Sequence, residues 1–369
     1  MLDGVRGVAV MLVILYHSTH EWPAGSGVAK AIGKIFANGW SGVELFFVLS
    51  GYLITSILLK TRDRPGYYRR FFIARFCRIF PLYYVTLAAV FVVLPAFVPR
   101  FEHSALYHRQ GWLWSYMTNF GLVHADQFIF GSQDLHLDHF WSLAVEEQFY
   151  LVWPVVVAVL GRRVRWAAIG MIILGILLRL SGEYTVFALH FSILTRWDGL
   201  AAGVFLATVL PLGQRPTTHI GSAGALAAIC LISAELVTRA GWTQAYRAVE
   251  FTLFAAGYAA GMYFILGRPT GTVGRLLTAS ALSSLGKYSY ALYIVHPLFL
   301  PHCRRMALLI AGESITGLLC FIGLLMIACL ATARLSYAAI ESPSMQLRDL
   351  LLHRSRPAIT IGMHGTRIT

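Results

Sequence analysis

The sequence predicts an all-α, polytopic integral membrane protein of about ten transmembrane helices with both termini cytoplasmic. Two observations carry that prediction: 57% of the residues are hydrophobic and only 13% are charged, and the mean hydropathy is +0.65, values far from those of soluble chains. Lys and Arg (30) outnumber Asp and Glu (17), leaving a net charge of +13. On a soluble chain this balance suggests nucleic acid, but no nucleic-acid-binding motif interrupts the apolar segments. Cytoplasmic loops facing anionic lipid account for the charge more simply, and no nucleic acid partner is expected.

Apolar runs of about the length that spans a bilayer lie near 4–20, 38–59, 79–98, 141–160, 165–181, 191–211, 219–237, 248–267, 286–301 and 314–335. The first lacks the basic n-region and small-residue cleavage site of a secretory signal peptide, so it is expected to be retained. After the second, Lys60 and six arginines up to Arg78 set the cytoplasmic side. The third is followed by the one long connection, 99–140, rich in histidine and aspartate and carrying the aromatic run Trp112-Leu113-Trp114-Ser115-Tyr116. That connection reads either as interfacial helix with solvated polar residues or as a contributor to substrate binding. The Arg162-Arg163-Val164-Arg165 turn separates the fourth run from the fifth, which Arg179 interrupts. Arg196 and Asp198 lie in the sixth and Pro297 breaks the ninth. Beyond the tenth, residues 342–369 form a short basic tail expected to be cytoplasmic. The five cysteines sit on no metal-ligand spacing, and no metal is expected.

If alternate runs point outward and inward, polar residues scattered along the chain come to similar depths. Arg6 and His17 are eleven positions apart on the first run, about 16 Å in a helix at about 1.5 Å per residue. His17 then falls near the outer end, beside Glu44 at the start of the second run and Glu146 and Glu147 at the start of the fourth. Arg196 and Asp198 enter from that side, and His296 lies in the outward half of the ninth. A histidine fixed by a carboxylate in a low-dielectric site can take a proton from an alcohol. Plainer roles exist for each: helix packing for His17, carboxylates reaching for water, an Arg196–Asp198 ion pair, and a helix-break cap at His296-Pro297. On the inner side Arg75 and Arg78, three apart on one helical face, lie near Arg6 and suit either a phosphate ligand or membrane anchoring.

The ordered set Leu2-Asp3-Gly4-Val5-Arg6-Gly7 with His17, Gly42-Val43-Glu44-Leu45-Phe46-Phe47, Arg75-Phe76-Cys77-Arg78, Trp141-Ser142-Leu143-Ala144-Val145-Glu146-Glu147, Arg196-Trp197-Asp198-Gly199, Tyr293-Ile294-Val295-His296-Pro297 and Glu341-Ser342-Pro343 resembles the membrane-bound acyltransferase 3 family. Members of that family transfer acetyl and related acyl groups to carbohydrates and other hydroxyl acceptors. The resemblance implies an acyltransferase domain over 1–341 in a bacterial inner membrane. It also implies an acyl coenzyme A donor, acetyl-CoA first, and a glycan or lipid-linked glycan acceptor. The family's Arg-x10-His and Arg-x-x-Arg motifs, needed for activity, fall on Arg6 with His17 and on Arg75 with Arg78. Those arginines would then hold the donor's phosphates, and His17, oriented by Glu147 or Glu44, would be the general base. Asp3, Glu146, Trp141, Arg196, Asp198 and His296 would support substrate or structure. Some relatives carry a fused extracytoplasmic hydrolase-like domain, and this chain is expected to be the stand-alone form. Within the enzyme class the alternative is a macrolide-type or lipid acceptor. In another class a transporter or flippase would show similar buried charges, but more often with an internal repeat, and none is obvious here.

Overall fold

A long apolar run inside a bilayer satisfies its backbone N–H and C=O groups only within helices or closed barrels, and this chain takes the helical solution. The computed structural model describes residues 1–23, 27–132, 134–240 and 244–353. Among them there is no β-strand, only an isolated bridge between Gly131 and His136. Residues 354–369, most of the expected basic tail, lie outside the described residues.

Ten helices answer to the ten apolar runs: α1 (Leu2–His20), α2 (Gly42–Thr61), α3 (Tyr67–Ala88), α4 (Phe140–Leu160), α5 (Val164–Leu180), α6 (Asp198–Val209), α7 (Ile220–Ala240), α8 (Gln244–Gly267), α9 (Ser289–Ala311) and α10 (Ile315–Ser336). Seven helical stretches among the described residues are long and apolar enough to cross a membrane. The 12-residue α6 is too short, and α9 carries His296, His302, Arg304, Arg305 and two internal prolines.

Three boundaries differ from the sequence expectation, one of them the end of α9, which continues to Ala311 rather than stopping near 301. The basic stretch after α2 is mostly helix, because α3 begins at Tyr67 and lifts Arg75 and Arg78 two to three turns into the bundle. The sixth run is not one span: it breaks into Val186–Phe191, Ile193–Arg196 and α6. Thr195 stabilises the break by donating its hydroxyl to the carbonyls of Ala188 (2.9 Å) and Ser192 (3.1 Å).

Small residues let α2 and α6 approach closely, as membrane helices without a solvent-driven hydrophobic effect must. A methyl group on Gly203 would stand 2.1 Å from the Val48 carbonyl oxygen, and one on Gly51 would stand 2.1 Å from that of Leu200. Gly203→Ala is therefore expected to destabilise by about 1–3 kcal/mol through overpacking. Gly170, in α5, meets nothing within 4 Å, so Gly170→Ala should be neutral or slightly stabilising. Thermal unfolding of the two variants in detergent checks the contrast, and equal effects would refute the close approach.

Candidate active site

Arg6 from α1, Arg75 and Arg78 from α3, and Tyr290 from α9 converge on a cavity of about 120 Å³. Arg6 is held by Asp3 at 2.8 Å. Neither Arg75 nor Arg78 forms an ion pair among the described residues, and Arg78 Nη1 reaches only the Met345 sulfur, at 3.5 Å. Guanidinium groups brought into a protein interior without a carboxylate are costly to hold and well matched to phosphate. Near Arg78 the chain makes a π-turn over Tyr337–Glu341, and both Glu341 oxygens are buried without hydrogen-bond partners.

Along the cavity wall, Ser50 donates its hydroxyl to Glu146 Oε1 at 2.7 Å, and the Tyr150 hydroxyl stands 2.6 Å from Ser50 Oγ and 3.3 Å from Glu146 Oε2. Glu146, read from sequence as support, is thus the carboxylate of this cavity. Its neighbour Glu147, about 100° further round the helix, lines a separate pocket with Arg75 and Tyr116.

Ser142 and Tyr293, which also line the cavity, share a hydrogen bond of 2.5 Å, and the Tyr293 ring packs against His139 and His296 at 5.5 and 5.8 Å. The α9 sequence explains the arrangement. Pro297 has no N–H to offer the carbonyl of Tyr293 four residues earlier. His296 Nδ1 takes that carbonyl instead at 2.9 Å, with Leu292 O at 3.1 Å. The expected helix-break cap is therefore present and builds the site as well. Because both contacts are carbonyls, His296 Nδ1 carries the proton and Nε2 is left as an acceptor. His17 Nδ1 lies 3.3 Å from that Nε2 and 2.9 Å from Val13 O. Facing two acceptors, it too must be protonated, which leaves the lone pair of His17 on Nε2, where no hydrogen bond from the described residues occupies it.

His139, which the sequence left among the loop histidines, completes the group: its ring lies 5.6 Å from that of His296. It is positioned by the preceding Asp138, which accepts the N–H groups of Ile129 (3.1 Å) and Phe130 (2.9 Å) and folds the connection down onto α4. Burial pushes the Asp138 carboxyl above its ordinary range, against the opposing effect of those N–H donors.

The carboxylates expected to orient His17 do not do so: neither Glu44 nor Glu147 hydrogen-bonds to it among the described residues. Glu44 is fully buried and pairs with Arg196. The Arg196 guanidinium lies over Phe251 at 3.9 Å and over Trp141 at 5.1 Å, so Trp141 acts as its aromatic wall. The expected Arg196–Asp198 pair is absent as well. Asp198 instead takes Arg179 in a bidentate pair at 2.7 and 2.9 Å, and Thr252 donates to the same carboxylate at 2.5 Å. Arg179, read from sequence only as an interruption of α5, is the fully buried partner. Arg196 and Asp198 sit two residues apart on either side of the helix break, which sends them to different neighbours. No group of three His, Cys, Asp or Glu residues among the described residues could hold a metal ion.

A family model described as an acyltransferase domain matches residues 1–334. Among curated proteins, "Putative peptidoglycan O-acetyltransferase YrhL" of Bacillus subtilis (strain 168) is 30% identical over 325 residues, covering 80% of this chain and 47% of that protein. "Putative O-acetyltransferase SACOL0978" of Staphylococcus aureus (strain COL) is 29% identical over 328 residues, covering 80% and 49%. "Peptidoglycan O-acetyltransferase OatA" of Listeria monocytogenes serovar 1/2a is 27% identical over 328 residues, covering 80% and 48%. The chain thus spans about half the length of the curated relatives it matches. No solved structure matches it.

Proposed function

Because the chain belongs to the acyltransferase family, as a multi-pass membrane O-acyltransferase, we propose that it moves an acetyl group from acetyl coenzyme A to a hydroxyl of a surface carbohydrate, with His17 as general base. The observation that carries this reading is a single cavity lined both by Arg75 and Arg78, which form no ion pair among the described residues, and by the Ser142–Tyr293 pair, whose tyrosine ring packs against His139 and His296, the neighbour of His17. The names of the relatives favour a cell-wall glycan as acceptor. We place the protein in the bacterial cytoplasmic membrane with ten crossings, the sixth made jointly by Val186–Phe191, Ile193–Arg196 and α6, and both termini inside, so that Arg75 and Arg78 meet the cytoplasmic donor and His17 lies towards the outer face.

In this scheme Arg6, Arg75 and Arg78 hold the donor's phosphates, and the narrow cavity admits the slender pantetheine arm. The thioester then lies between Glu146 and Tyr293. His17 Nε2 takes the proton of the acceptor hydroxyl as its oxygen attacks the thioester carbonyl. The C–S bond breaks, and the departing sulfur recovers the proton from the imidazolium. The hydroxyls of Ser142 and Tyr293, which hydrogen-bond one another and the His139 carbonyl, turn from that carbonyl to the negative charge that develops on the thioester oxygen. The Val13 carbonyl and His296 together hold His17 in the required tautomer, the task that the sequence assigns to a carboxylate.

The test is transfer of labelled acetyl from acetyl-CoA in membranes containing wild type, Arg75→Ala, Arg78→Ala and, as a control in the long connection, His103→Ala. Loss of a charge-assisted hydrogen bond is worth about 1.5–3 kcal/mol. Each arginine variant should therefore raise the KM for acetyl-CoA by about 10- to 100-fold, with His103→Ala unchanged. Wild-type KM in both arginine variants would remove the donor site from this cavity.

A further inference from the structure

Beside the arginine cavity a second pocket, of about 290 Å³, opens between α3 and α4. Its rim is apolar: Phe76 is 56% and Leu151 68% exposed, on helical stretches long and apolar enough to cross a membrane. What reaches that rim in a bilayer is hydrocarbon rather than water.

Its interior is polar and unsatisfied. Glu147 Oε1 and the Tyr116 hydroxyl both line this pocket and are both buried without a hydrogen-bond partner, an unfavourable state in a low-dielectric site. Tyr116 also holds a backbone φ of 54°, a left-handed conformation that a bulky residue adopts only under constraint. Two contacts impose it: Gln148 donates to the Tyr116 carbonyl at 3.0 Å, and the Tyr116 ring stacks on Tyr83 at 4.0 Å. The fold thus holds a hydroxyl donor and a carboxylate acceptor, both unmet among the described residues, in the lining of a pocket open to lipid.

One chemical group answers both, since a hydroxyl donates one hydrogen bond and accepts others. We propose that this pocket binds the hydroxyl end of a membrane lipid entering sideways from the bilayer. Its O–H donates to Glu147 Oε1 and its oxygen accepts from the Tyr116 hydroxyl, while the hydrocarbon tail lies along Phe76 and Leu151. Arg75 lines both this pocket and the arginine cavity, so the bound hydroxyl lies next to the proposed donor site. Binding there does not require acyl transfer, so the two readings fail separately.

The experiment is photolabelling of the full chain in lipid nanodiscs with a diazirine-bearing long-chain alcohol, compared with the diazirine alkane of equal length. Peptides containing Phe76, Tyr116 and Leu151 should be labelled about five- to tenfold more by the alcohol, as expected for gaining a hydrogen bond. Tyr116→Phe and Glu147→Leu should each bring the alcohol down towards the alkane level. Glu147→Met, unbranched like glutamate and without a hydrogen-bonding oxygen, serves if the leucine variant does not fold. Equal labelling by the two probes, labelling confined to other helices, or an alcohol preference unchanged in the variants would overturn the proposal.

Discussion

His17→Ala should lower acyl turnover by about 10²- to 10⁴-fold, the usual contribution of a positioned general base, while acetyl-CoA binding at the arginine end stays intact. The separation follows from the geometry, because His17 lies in the histidine group and not in the wall around Arg75 and Arg78. His296→Leu should give a smaller loss. It removes one of the two acceptors that hold the proton on His17 Nδ1 and leaves the Val13 carbonyl, so only part of the His17 population turns its lone pair away from substrate. In that variant kcat should fall with the KM for acetyl-CoA unchanged, and His296→Gln, whose amide oxygen can again accept, should recover part of the rate. Steady-state kinetics on purified protein separates these effects. Full turnover by His17→Ala would make the histidine structural and sink the mechanism.

Breaking the buried Arg179–Asp198 pair should cost stability rather than chemistry. Asp198→Ala leaves a fully buried guanidinium with its carbonyl and Thr252 contacts but no counter-charge, a change worth about 3–5 kcal/mol. Replacing both partners, as in Arg179→Met with Asp198→Leu, removes the desolvated charges together and should return much of that loss. Unfolding of the single and double variants in detergent measures the coupling. If the double variant is as unstable as the sum of the singles, the pair is not the unit of stability described here.

Much of the arginine cluster was legible in the sequence because it depends on short-range geometry. Arg75 and Arg78 are three apart and share a helical face whatever the helix packs against, and the spacing from Arg6 to His17 sets those groups at opposite ends of α1. The cap at His296-Pro297 is equally local, since a proline always frees the carbonyl four residues before it. Glu146 and Glu147 were harder to separate: adjacent residues on a helix diverge by about 100°, and only the packing of α4 against α2 and α3 decides which one meets the arginine cavity.

What the sequence determined by itself was therefore the class, the apolar runs, the arginine cluster and His17, all readable from composition or from spacing within one helix. The tertiary structure alone decided the partners. It paired Glu44 with Arg196 and Asp198 with Arg179, brought His139 in from the long connection, and made a histidine rather than a carboxylate the neighbour of His17. Those contacts join residues from different helices, and a buried polar group settles on whichever partner the packed bundle brings within hydrogen-bond reach, a distance that spacing along the chain does not encode.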